Sequence, residues 1–149
     1  MLSIEGRYDP KVGPIMDLGF ARHDFLSAKR NRLDFVFAKA LLDTGAARTS
    51  TTREIAAKAN LQLAGRTPLS SAIERRPVDV NVYHADVVLL SSRTGGKALD
   101  GIITPTKGIV ELLPDSPHFQ AIAGRDLLCQ CDFAMKRDGS FSLIWFPPD

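Results

Sequence analysis

The sequence predicts a mostly-β domain with one or two short helices. Three observations point there. Several segments carry strand-type residues, and Val78–Leu90 opens with clear alternation, Val78, Val80 and Val82 against Asp79, Asn81 and Tyr83. One stretch, Thr51 to Leu63, shows a clear helical period. Gly, Pro and Asp-Gly punctuation separates the rest into short pieces.

In chain order, Pro14–Phe20 (PIMDLGF) is the first expected strand, bounded by Gly13 and Pro14. Residues 21–33 are polar and basic and read as a loop or long hairpin turn. Leu33–Leu42 (LDFVFAKALL) is rich in β-formers and then apolar, a strand entering the core. Ile55, Ala56, Ala59 and Leu63 recur at helical spacing behind the candidate caps Thr51 and Thr52. Arg66–Ala72 and Val78–Leu90 form a candidate hairpin with a polar tip at Ile73–Pro77. Arg93–Lys97 (RTGGK) reads as a turn. Gly101–Val110 is a strand region that Pro105 and Gly108 should break. Ala121–Ala123 is a small strand stopped by Gly124, and Arg125–Phe133 reads as a short helix. Asp138-Gly139 is a turn, and Ser140–Phe146 (SFSLIWF) is the last strand, with Phe141, Leu143 and Trp145 on one face.

The 149 residues suit one domain. Hydrophobic residues make up 44% and charged residues 24%, which excludes a disordered, collagen-like or coiled-coil chain. A net charge of +2 gives no reason to expect a polyanion partner for the whole domain. No apolar run approaches the roughly 20 residues of a membrane helix. The start, MLSIEGRYDP, does not read as a secretory signal, so no membrane partner is expected. Cys129 and Cys131 are too few for a disulfide framework, and a cytoplasmic location is expected. They offer two of the four thiolate or imidazole ligands that zinc wants, and the spacing of His84 and His118 does not complete a set. No metal or other cofactor is expected.

Leu41-Leu42-Asp43-Thr44-Gly45-Ala46 is the most informative stretch. An apolar strand runs straight into a carboxylate, a hydroxyl and a glycine. A carboxylate at the end of a core strand is costly without compensation. Gly45 permits a tight turn, and Thr44 can bond the backbone or its own symmetry mate. An Asx-turn that ends a strand is the plainer reading of these three residues alone. Farther along, Ala121-Ile122-Ala123-Gly124-Arg125-Asp126-Leu127-Leu128 repeats the design of apolar residues, glycine, then a polar residue opening a short helix.

With ALLDTGA (Ala40–Ala46), IAGRDLL (Ile122–Leu128) and the closing FSLIWF, the chain resembles the retropepsin-like aspartic peptidases, single-domain relatives of pepsin. It looks closest to small bacterial members with the pattern DTGA…R…GRD, over roughly Pro14 to Phe146. The resemblance implies a closed or semi-open acid-protease barrel. It also implies a homodimer in which each chain supplies one catalytic aspartate, Asp43, beside its mate. Thr44 then braces the loop across the dimer, Gly45 lets substrate backbone approach, and Ala46 completes the loop. Ser71, Ala72, Ile73 and Glu74 stand in the flap that closes over a peptide or protein substrate. Gly124, with Arg125 and Asp126 after it, leaves room for the loop behind the catalytic strand. The chain termini interleave at the dimer interface.

Aspartic proteases are the type case of two carboxylates too close for both to ionise, so the pair shares a proton. One carboxylate activates water and the other donates to the scissile carbonyl. Ala46 stands where pepsin-like relatives often carry serine, so fewer hydrogen bonds hold the pair, and the expected optimum lies nearer mild than strong acid. Two departures from the viral pattern stand out. Ala47 occupies the place of an acidic residue, with Arg48 after it, so Asp126 is expected to accept from Arg48 or Arg125. The flap tip lacks the viral glycine pair.

Two other classes compete. One is a retropepsin-like domain that dimerises and binds peptides with weak turnover. The other is a helix-turn-helix DNA reader, with Thr51–Leu61 as first helix and Ser70–Arg76 as recognition helix. Arg48 to Arg76 holds six basic and two acidic residues, a local +4. Against the DNA reader, its turn would span Gln62–Pro68, too long for the motif, and no nucleic-acid partner is expected.

Overall fold

A computed structural model describes residues 2–23, 34–69, 76–90, 101–113 and 116–146. The described elements, in order, are β1 (Leu2–Asp9), β2 (Gly13–Ala21), β3 (Val36–Leu42), β4 (Ser50–Thr52), α1 (Arg53–Lys58), β5 (Gln62–Leu69) and β6 (Val78–Leu90). There follow β7 (Gly101–Leu112), β8 (Ala121–Ala123), α2 (Arg125–Leu128), β9 (Cys131–Met135) and β10 (Ser140–Trp145). The mostly-β class is what the sequence predicts.

The strands form one sheet in the order β5-β6-β7-β4-β8-β3-β2-β1-β10-β9, and β6 pairs again with β2. That second pairing closes a circuit of β2, β3, β8, β4, β7 and β6. Strand β6 makes it possible by changing partner along its length. Its first half pairs with β5, from Leu69↔Val78 to Gln62↔His84, and its second half pairs with β2, from Leu18↔Leu89 to Ala21↔Asp86. The core fills the circuit: Leu18, Phe20, Ala40, Leu89, Ile109 and Leu127 are all 2% exposed or less. Each large apolar side chain buried there contributes roughly 1.5–3 kcal/mol of transfer free energy.

Three expected elements differ in extent. The helix after Thr52 ends at Lys58, not near Leu63. Thr52 does cap it, accepting from the Ile55 N–H at 3.4 Å. Asn60 then adopts φ 52°, the left-handed turn asparagine tolerates, and the chain leaves as β5 with Leu63 exposed. Strand β7 is not broken at Pro105. Its register with β6 slips between Ala85↔Lys107 and Val87↔Thr104, so Pro105 falls at an irregularity where no ladder N–H is needed. The expected helix Arg125–Phe133 stops at Leu128, because Cys131–Met135 pairs with β10 as β9. Strand β1, which the sequence reading did not anticipate, pairs with β10 from Leu2↔Trp145 to Arg7↔Ser140. The two terminal strands are therefore joined inside one chain. The expected turn at Arg93–Lys97 lies outside the described residues.

Candidate active site

The Asp43 loop is built at the end of a parallel strand pair. Leu42 of β3 lies opposite Ala123 of β8, and the Asp43 N–H donates to the Ala123 carbonyl at 3.0 Å. The chain then turns. The Gly45 N–H donates to Asp43 Oδ1 at 2.8 Å and the Ala46 N–H to the Asp43 carbonyl at 3.2 Å. This is an Asx-turn, as the plainer sequence reading has it. Asp43 and Ala46 are half-buried, whereas Thr44 and Gly45 are exposed.

Helix α2 grips this loop from behind. The Arg125 N–H donates to the Ala46 carbonyl at 2.8 Å, and the Arg125 guanidinium donates to the Thr44 carbonyl at 2.9 Å. Gly124 lies against the returning backbone. A Cβ placed there would stand 2.6 Å from the Arg48 carbonyl carbon and oxygen and 3.0 Å from the Ala46 oxygen. Its φ of −90° suits any residue, so the requirement is space.

Asp126 does not take either arginine. It accepts from the Thr49 N–H at 3.0 and 3.1 Å and from Thr49 Oγ1 at 2.7 Å. Thr49 is fully buried, and its hydroxyl also accepts from the Gly124 N–H at 3.2 Å. Arg48 instead reaches the Gly108 carbonyl at 3.4 Å, and Arg125 is spent on Thr44. A buried threonine with two donors needs an acceptor more than two exposed guanidiniums do, since an unpaired buried donor costs about 1–3 kcal/mol. Thr49 is thus the residue the sequence reading missed. Its signal was a hydroxyl five residues beyond Thr44 in ARTS, too common a pattern to single out.

Of the flap residues, Ser71, Ala72, Ile73 and Glu74 lie outside the described residues. The strands that lead to them, β5 and β6, are antiparallel, slip register once between Leu63 and Gly65, and pair as far as Leu69↔Val78. The helix-turn-helix reading fails here, because 62–69 is strand β5 where that motif needs its turn.

A separate charged cluster centres on β7. Glu111 of β7 is 4% exposed. It accepts from Arg53 Nε at 2.9 Å and from the Asn81 N–H at 3.3 Å. The Arg53 hydrogen bond, aided by the Asn81 N–H and by the positive charges of Arg53 and Arg66, holds its carboxyl below the usual glutamate range against the opposing effect of burial. Cys129 is exposed and Cys131 half-buried, both free. Burial, then the neighbouring Cys129 and Asp132, push the Cys131 thiol up, away from the thiolate a metal requires. No group of three His, Cys, Asp or Glu side chains suited to a metal occurs among the described residues, and no helix there is long and apolar enough to cross a membrane.

A crystal structure of a retropepsin-like aspartic protease from Rickettsia conorii is similar over 97% of this chain and 94% of that chain, with a TM-score of 0.50 and 16% identity. The chain has the retropepsin-like fold. No family model and no curated protein matches it by sequence.

Proposed function

We propose that the chain is an aspartic endopeptidase whose active site forms from Asp43 of two copies. The observation that supports this best is the Asp43-Thr44-Gly45 loop at the end of β3, held from behind by Arg125 in a retropepsin-like fold. The loop bears an exposed Thr44 and Gly45 beside a half-buried carboxylate, a surface that a second copy can meet.

In this reading the two Asp43 carboxyls share one proton, because two like charges about 3 Å apart cannot both ionise. The ionised member takes a proton from water as the water attacks the scissile carbonyl. The protonated member donates to the carbonyl oxygen. No covalent intermediate forms, and the pair titrates as a unit. The substrate is a peptide or protein, laid against the loop beneath the β5–β6 hairpin.

The test is cleavage of a mixed peptide library across about pH 3 to 7, where aspartic dyads titrate. Wild type is compared with Asp43→Asn, with and without a statine-type inhibitor. Cleavage that the statine blocks and the substitution abolishes is the expected result. Cleavage that survives Asp43→Asn refutes the assignment. A dimer that binds peptides without cutting them favours the binding-domain alternative.

A further inference from the structure

The loop that carries Asp43 is bonded along β7. The Val110 N–H donates to the Thr49 carbonyl at 3.1 Å, and the Arg48 guanidinium donates to the Gly108 carbonyl at 3.4 Å. Strands β5, β6 and β7 therefore rise from this loop as a wall, and the register sorts the wall into two faces. His84 is opposite both Gln62 and Gly108, and Val82 is opposite Val110, so these residues share one face with Val80. Tyr83 and Ile109, also opposite each other, share the second face, which joins the main core. Val80 and Val110 are buried without belonging to that core, so the first face is an apolar surface of its own.

Arg48 lies on this first face. A Cβ built on Gly108 would stand 2.7 Å from an Arg48 Nη and 3.7 Å from Val82 Cγ1. The missing side chain of Gly108 is thus the slot in which the guanidinium rests. Arg48 is exposed, and among the described residues its side chain makes only the long bond to Gly108 and meets no carboxylate. The carboxylates of the wall, Asp79 and Glu111, alternate to the opposite face, where Glu111 takes Arg53. An arginine presents a planar fork of N–H donors, and most of this fork is open to a ligand.

We infer that Arg48 sets the charge preference of the site, by receiving an acidic side chain of a peptide laid between the Asp43 loop and the β5–β6 hairpin. This inference rests on the peptide-cleaving reading above and names the substrate class for that same site. The methylenes of a glutamate or aspartate lie along Val82, and its carboxylate takes the guanidinium in parallel N–H···O bonds. A glutamine in its place loses the charge-assisted bonds, and a lysine meets a like charge. His84, the other ionisable side chain on this face among the described residues, brings no negative charge to compete.

The test is a set of peptides of one apolar sequence, with Glu, Gln or Lys placed at each position in turn. Binding is read by fluorescence anisotropy on the whole chain carrying Asp43→Asn, and cleavage on the wild type. At one position Glu should bind about tenfold or more tightly than Gln, and Lys more weakly than Gln. Arg48→Gln should bring Glu and Gln to within about twofold, and Arg48→Glu should turn the preference to Lys, with an unchanged circular dichroism spectrum. A Glu preference that survives Arg48→Gln, or a chain that binds no peptide, overturns the inference. Cleavage with no charge preference at any position also overturns it, and leaves the proteolytic reading standing. Charge-selective binding that follows Arg48 but brings no cleavage leaves the inference standing and counts against the proteolytic reading instead.

Discussion

Gly124→Ala tests the idea that the loop and α2 are held together by close backbone approach. The added methyl would stand 2.6 Å from the Arg48 carbonyl carbon and oxygen. Ordinary contact needs about 0.8 Å more. Both obstructing atoms are backbone, so no rotamer change relieves the clash. The 46–48 segment has to move away from α2. That movement lengthens the Arg125 N–H to Ala46 carbonyl bond, now 2.8 Å, and the Gly124 N–H to Thr49 bond, now 3.2 Å. Overpacking costs about 1–3 kcal/mol and loss of one such bond about 1 kcal/mol more, so destabilisation of about 2–4 kcal/mol is expected. Urea unfolding followed by circular dichroism measures it. If the protein cleaves peptides, the same shift misplaces Asp43 and should lower kcat/KM by up to about a hundredfold. A Gly124→Ala protein within about 0.5 kcal/mol of wild type, the range of inert surface changes, refutes the packing argument.

Two further outcomes follow from named contacts. Asp126→Ala should cost about 2 kcal/mol, because the buried Thr49 N–H and hydroxyl lose their acceptor, and Asp126→Asn should cost less because it keeps one carbonyl oxygen. Equal losses from the two substitutions in urea unfolding contradict that account. Arg53→Gln should make stability less dependent on pH. The Glu111 carboxyl is held below its usual range in the folded state, so its contribution is fully present above the ordinary glutamate pKa and fades as pH falls through the lowered folded value. Wild type should therefore exceed Arg53→Gln most at neutral pH, and the gap should close in acid. A gap that stays constant across thermal melts from neutral to acidic buffer refutes the linkage.

What the chain determines locally was legible. Alternation at Val78–Val82, the apolar run into Asp43, the Thr52 cap and the Asp138-Gly139 turn each act within a few residues. The structure places strand, turn and cap at these positions. The β5–β6 hairpin was legible for the same reason. The edges of elements were less so. The helical period to Leu63 yields at Asn60, and the helical reading of Cys131–Phe133 yields to pairing with β10.

The sequence by itself determined the class of fold, the strand segments and the Asp43 turn, because periodicity, capping and turn chemistry are short-range. Only the tertiary structure decided who holds that turn. Thr49 and Asp126 are 77 residues apart, and Thr44 and Arg125 are 81. Whether Asp126 meets an arginine or a buried threonine depends on which donor the fold strips of water, and burial is a property of the packed chain. The same holds for the closed circuit and for the place of β9 at the end of the sheet's strand order, since a strand's neighbours are chosen by the layout of the whole sheet.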